Sequence, residues 1–176
     1  IIKEKPILNL TVHHLLAFSE PIWQALGKRC VFVEVVRHPL YMIRQQELNM
    51  QKLIGDARYF AIHFAYKNQE FPYYVKGWED IFHVSNPMEQ TIHFINQYVK
   101  RSDIEKEKLK EKYQAAIITI PFELFVLEPL PWLQKIAKAL ETEVSDSTKR
   151  VMLQQNVPRD KISQGIDLEI YRRCGW

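Results

Sequence analysis

The chain has 176 residues, enough for one domain with a proper core. Hydrophobic residues make up 47%, which excludes a disordered chain, and no apolar run approaches the ~20 residues that a membrane span needs. A net charge of +3 fits an anionic small ligand and gives no argument for a nucleic-acid partner. The two cysteines, Cys30 and Cys174, build no disulfide framework, and no Cys–Cys or Cys–His spacing indicates a metal site. The chain opens on Ile1-Ile2 without a methionine or a signal-like segment, so we expect a piece from inside a longer protein and, with no targeting or disulfide signal, a cytoplasmic one.

Taken in order, Ile7 to Val12 reads as a short strand after Pro6, with His13 and His14 at its end. Ser19 starts a helix with Glu20 and Pro21 in its first turn, an apolar face of Ile22, Trp23 and Leu26, and Gly27 as its stop. Cys30 to Val36 is β-branched and apolar with only Glu34 interrupting, the pattern of a strand covered on both faces. Strand, helix, strand in this order implies a parallel crossover. Arg37 follows, then Pro39, which fits the first turn of a helix because it lacks an N–H and presets φ. Arg37 thus falls at the carboxyl edge of a sheet, where open α/β sheets bind ligands; the plainer alternative is a surface arginine in a strand-to-helix turn.

The helix after Pro39 carries Leu40, Ile43, Leu48, Met50, Leu53 and Ile54, and ends at Gly55 and Asp56. Residues 58–75 read as an aromatic β-hairpin with a polar turn at Lys67 to Glu70, serving as a flap over a cleft or simply packing on the body. Trp78 and His83 have no partners in sequence and read as structural. Asn86 to Glu89 has the form of a capping box ahead of the stripe Ile92, Ile95 and Val99. Ser102 to Glu105 looks like a second helix start, and the charges up to Lys112 like a solvated face. Ala115 to Ile120 is the next buried strand, stopped by Pro121; Glu123 just beyond it is expected to cap or pair with a neighbour at the sheet edge. Pro129 and Pro131 introduce a helix through Leu140, and a polar cap at Asp146 and Ser147 precedes another. The tail from Asn156 brings Arg159 and Lys161.

VEVVRHPLYMIRQ resembles the segment of sulfotransferases that binds the 3′-phosphate of 3′-phosphoadenosine 5′-phosphosulfate, where a hydrophobic strand ends in Arg-x-Pro and a serine follows in the helix. Arg37, His38 and Pro39 match, while the serine position falls on Gln45. A second stretch, IITIPFELFVLEPLPWLQKIAKAL, is similar to the family's later strand, its Phe-Glu step, a proline-containing turn and a helix. The resemblance implies a three-layer α/β domain over residues 1–176 with a mainly parallel sheet, of the P-loop NTPase-like sulfotransferase fold, carrying an inserted β-hairpin. It also implies transfer of a sulfuryl group from 3′-phosphoadenosine 5′-phosphosulfate (PAPS), without a metal, to a hydroxyl or amine of a small-molecule or carbohydrate acceptor.

By that resemblance Arg37 and Gln45 contact the donor, Arg159 and Lys161 belong to a basic loop closing over its 3′-phosphate, and His14 or His13 is the general base. A positioned base contributes ~10²–10⁴-fold. The family also holds the 5′-phosphosulfate in a glycine-rich loop ahead of the matched region. Here the five glycines are too scattered to build one, so we expect an N-terminally truncated domain or a different mode of donor binding. Two other readings stay open: a P-loop-type nucleotide or small-molecule kinase, and a non-catalytic interaction domain with the same fold.

Overall fold

Two strands lie side by side in the chain's fold, although about eighty residues separate them in sequence; the first, expected to be covered on both faces, leaves Val33, Val35 and Val36 exposed among the described residues. The computed structural model describes residues 7–11, 16–55 and 62–162. In chain order its elements are α1 (Glu20–Leu26), β1 (Val31–Val36), α2 (Pro39–Gly55), β2 (His63–Tyr66), β3 (Gln69–Pro72), α3 (Glu79–Val84), α4 (Pro87–Tyr113), β4 (Ala116–Pro121), α5 (Phe122–Leu127), α6 (Pro129–Ala139) and α7 (Asp146–Gln154). Strands β1 and β4 pair in parallel, from Val31 opposite Ala116 to Val36 opposite Pro121. The chain is therefore mixed helix and sheet, broadly α/β, with a small parallel sheet of two strands among the described residues.

The pleat of this pair explains its lone acid. Alternate residues share a face, so Phe32 and Glu34 point the same way as their partners Ile117 and Thr119. Phe32 and Ile117 pack against Trp23 and Leu109, which are almost wholly buried. Further along the same face, Glu34 Oε2 accepts from Thr119 Oγ1 (2.8 Å) and from Lys106 Nζ (3.0 Å) on α4. Burial works against the charge of Lys106, but hydrogen bonds to Asp103 and Glu34 outweigh it and raise its pKa.

Helix α4 joins two packed regions. Its C-terminal half meets α1 and the sheet; its N-terminal half contributes Phe94 and Ile95 to a cluster with Ile43 and Met50 of α2 and with Phe71, Tyr74, Val75 and Trp78. The capping box at its start is present: Asn86 Oδ1 accepts from the Glu89 N–H, and Glu89 Oε2 from the Asn86 N–H. The expected second start at Ser102 is not there. The helix runs unbroken through it, because Ser102 is buried against the body and Glu, Lys and Leu carry the helix onward.

The hairpin forms with a two-residue loop, Lys67 and Asn68 both at positive φ, the geometry that suits the twist of the flanking strands. Its described part spans His63–Pro72, and the chain then turns into a 3₁₀ segment, Tyr73–Val75, rather than continuing as strand. Phe71 and Tyr74 are buried in the core, so packing on the body accounts for these aromatics. Trp78 is likewise structural, its Nε1 donating to the Tyr74 carbonyl (2.9 Å), and His83 lies edge-on to Phe71.

The expected strand at Ile7 to Val12 is the clearest departure. Residues 7–11 carry no strand, Leu8 and Leu10 are 81% and 72% exposed, and Val12 lies outside the described residues. Apolar alternation marks a segment that fits a half-buried pleated surface, and this segment lies on none. The mainly parallel three-strand arrangement expected from sequence is thus reduced to β1 and β4 in the described chain.

Candidate anion-binding site

Both parallel strands stop at the same level, Val36 opposite Pro121, so the residues that follow them are brought together at the carboxyl edge. After β1 come Arg37 and His38, the latter at the entrance to α2. The His38 imidazole Nδ1 accepts from the Leu40 N–H (3.3 Å), and the His38 carbonyl accepts from the Tyr41 N–H (3.0 Å). After β4, Pro121 ends the ladder and Phe122 and Glu123 open α5. Glu123 Oε1 accepts from the His38 N–H (2.9 Å) and lies 4.0 Å from Arg37 Nε. The expected role of Glu123 as a partner at the sheet edge is what these contacts describe.

The third strand of chain to arrive is the segment after α7. Val157 is buried, and the Arg159 N–H donates to the Val126 carbonyl of α5 (2.6 Å). This backbone bond sets Arg159 beside the same junction. The guanidinium carbon of Arg37 lies 5.1 Å from the centroid of the Phe122 ring and that of Arg159 5.7 Å from it. Each distance is within the range of a cation–π contact, roughly 0.5–1 kcal/mol at exposed sites. Two fixed positive charges therefore converge on one phenyl ring, with one carboxylate alongside. The Arg159 Nε is buried and has no hydrogen-bond partner among the described residues, whereas the Arg37 side chain is 41% exposed.

Arg37 and Arg159, singled out separately in the sequence, are thus gathered into one place. Gln45 lies on the exposed side of α2 and Lys161 is exposed beyond Arg159, and the contacts around Phe122 do not include them. His13 and His14 lie outside the described residues. Phe122 was read only as part of the Phe-Glu step after the strand and not as a site residue. Its signal is positional: it follows the end of β4 as Arg37 follows the end of β1, a correspondence that only the strand register reveals.

Arranged this way, the site can hold an anion. A buried donor without a partner is costly, commonly ~1–3 kcal/mol, and a ligand oxygen would satisfy it. The backbone donors at the start of α2 are already engaged by Glu123 and by His38 itself, so the two arginines rather than the helix terminus supply the positive charge. Among the described residues no group of three or more His, Cys, Asp and Glu is placed to hold a metal, and no helix is long and apolar enough to cross a membrane. No family model, curated protein or solved structure matches the chain.

Proposed function

We propose that this chain is a sulfotransferase that takes its sulfuryl group from PAPS and passes it to an acceptor hydroxyl or amine. The observation that carries the reading is the convergence of Arg37 and Arg159 on Phe122, at the carboxyl edge of a parallel strand pair, with the Arg159 Nε unpartnered among the described residues. In this reading the two guanidiniums bind the donor's 3′-phosphate, and Gln45 and Lys161 lie in the segments that border it. His14, with His13 as the alternative, takes the proton of the acceptor. The new acceptor–sulfur bond forms as the bond from sulfur to the 5′-phosphate oxygen breaks, and 3′-phosphoadenosine 5′-phosphate (PAP) leaves with the electron pair.

The finer fold reading belongs to the same proposal: a three-layer sheet of the P-loop type, larger than two strands. Its support is the composition of β1. Val33 and Val35 are 38% and 60% exposed, although strands of this kind are normally covered on both faces.

The test is a calorimetric titration of the full protein with PAP and with adenosine 5′-phosphosulfate, which lacks the 3′-phosphate. A charge-assisted contact to phosphate contributes ~1.5–3 kcal/mol, so Arg37→Ala should weaken PAP by ~10–150-fold and leave the other nucleotide nearly unchanged. Arg37→Lys should restore only part of the loss, since a point charge lacks the guanidinium fork. Equal losses for both nucleotides would remove the 3′-phosphate from the assignment. A protein that binds neither would favour the non-catalytic reading.

A further inference from the structure

Glu123 is the charged group of the site for which the proposed reaction has no use. A carboxylate beside a phosphate-binding arginine weakens the binding of the phosphate, yet its placement is well defined. One oxygen, Oε1, accepts the His38 N–H at 2.9 Å and stands 4.0 Å from Arg37 Nε, and the side chain is 15% exposed. The carboxylate thus bridges the two halves of the junction: it starts from α5, just after β4, and fastens the first residue pair after β1. His38 is held from its other side by its own ring, whose Nδ1 takes the Leu40 N–H. The other neighbour of Arg37 is the Phe122 ring, which Arg159 also approaches.

We infer that Glu123 is a positioning residue that sets the affinity of the anion site through two opposed effects; the inference rests on the reading of Arg37 as a phosphate-binding residue. The first effect is mechanical. The bond to His38 fixes the backbone from which Arg37 projects, so the guanidinium need not be ordered when the ligand arrives, and preorganisation of this kind raises affinity. The second is electrostatic. The carboxylate repels an incoming phosphate and draws Arg37 toward itself, so affinity falls and release of the product's 3′-phosphate is eased. An amide at the same position separates them, because its oxygen accepts a hydrogen bond as a carboxylate does but carries no charge.

The experiment compares Glu123→Gln with Glu123→Ala in the full protein, by titration with PAP and with inorganic phosphate and by thermal unfolding without ligand. Removing one charge next to the ligand should let Glu123→Gln bind PAP ~3–10-fold more tightly than the unmodified protein, with a weaker gain at high salt because the effect is screened. Its melting temperature should stay with that of the unmodified protein. Glu123→Ala loses the same charge and the clamp, so it should melt lower and bind PAP more weakly than Glu123→Gln. Equal affinities for the two variants would overturn the mechanical effect, and a Glu123→Gln variant weaker than the unmodified protein would overturn the electrostatic one. If no form of the protein binds either anion, the sulfotransferase reading fails instead. The clamp then stands or falls on unfolding alone: it stands if only Glu123→Ala melts lower and falls if the two variants melt together.

Discussion

On the face of the β1–β4 pair that α4 covers, Glu34 is held by Lys106 at 3.0 Å and by its register partner Thr119 at 2.8 Å, with both ionic side chains about 85% covered. At the carboxyl edge of the same two strands, Arg37 and Arg159 share a phenyl ring, and among the described residues one carboxylate, that of Glu123, stands 4.0 Å from Arg37. In the first cluster each charge has an opposite beside it, Lys106 serving both Glu34 and the more exposed Asp103, and each hydrogen-bonding atom just named has its partner. Among the described residues the second has more positive charge than its neighbours neutralise and leaves a buried donor open. Ion pairs inside a fold explain themselves through packing, while convergent like charges are places where a counter-charge from a ligand would stabilise. That contrast is the physical ground for proposing a ligand at the edge rather than at mid-strand.

The contrast is broken most easily at Lys106. Lys106→Met keeps the apolar stem but leaves the covered carboxylate of Glu34 with Thr119 alone; stability measured by urea unfolding should fall by ~2–3 kcal/mol, with PAP affinity unchanged. A loss below ~0.5 kcal/mol would show that the mid-strand pair is no better compensated than the edge. The reverse holds for Arg159. Arg159→Met gives up a cation–π contact of roughly 0.5–1 kcal/mol but relieves an unpartnered donor and a like charge, so stability should move by less than ~1 kcal/mol while PAP binding falls.

The smallest effect sharpens the comparison at the surface. Glu20 joins α1 to Lys112 (2.8 Å) and Lys108 of α4, and hydrogen bonds from these two lysines lower its pKa from 4.5 to about 2. A carboxylate with a lowered folded-state pKa stabilises above its unfolded value, and the contribution disappears as pH falls through the folded value. Unfolding midpoints of the native chain should therefore lose a small increment between pH 4.5 and 2 that Glu20→Gln does not show. The increment is small because exposed ion pairs contribute little and are screened by salt. An identical acid profile for the two proteins would mean that this exposed bridge contributes nothing.

Much of the frame was legible before the structure. The two β-branched runs around Val33 and Ile118 were readable as parallel strands, though not the exposure of Val33 and Val35, and Asn86 with Glu89 as a helix start, because each signal is local. Ser102 misled for the same reason: the Ser-x-x-Glu pattern is a local signature, and the burial of Ser102 inside α4 is not. Ile7 to Val12 misled because alternation records a tendency to pair without naming a partner. Half of the site was readable. Arg37 was marked by Pro39 and the strand before it and Arg159 by the family resemblance, but the Val36–Pro121 register and the Arg159 to Val126 backbone bond, which bring Phe122 and Arg159 to it, are long-range. No spacing along the chain encodes those.

The central claim is that Arg37 and Arg159 serve one phosphate. It is tested most directly by titrating PAP into the full protein, Arg37→Ala, Arg159→Ala and the double variant. The account predicts that each single change weakens binding ~10-fold or more and that the double variant departs from the product of the two losses by at least ~0.5 kcal/mol, as groups acting on a shared partner do. One single variant that binds PAP as tightly as the unmodified protein, or losses that simply multiply, would mean that the two arginines do not act on the same ligand.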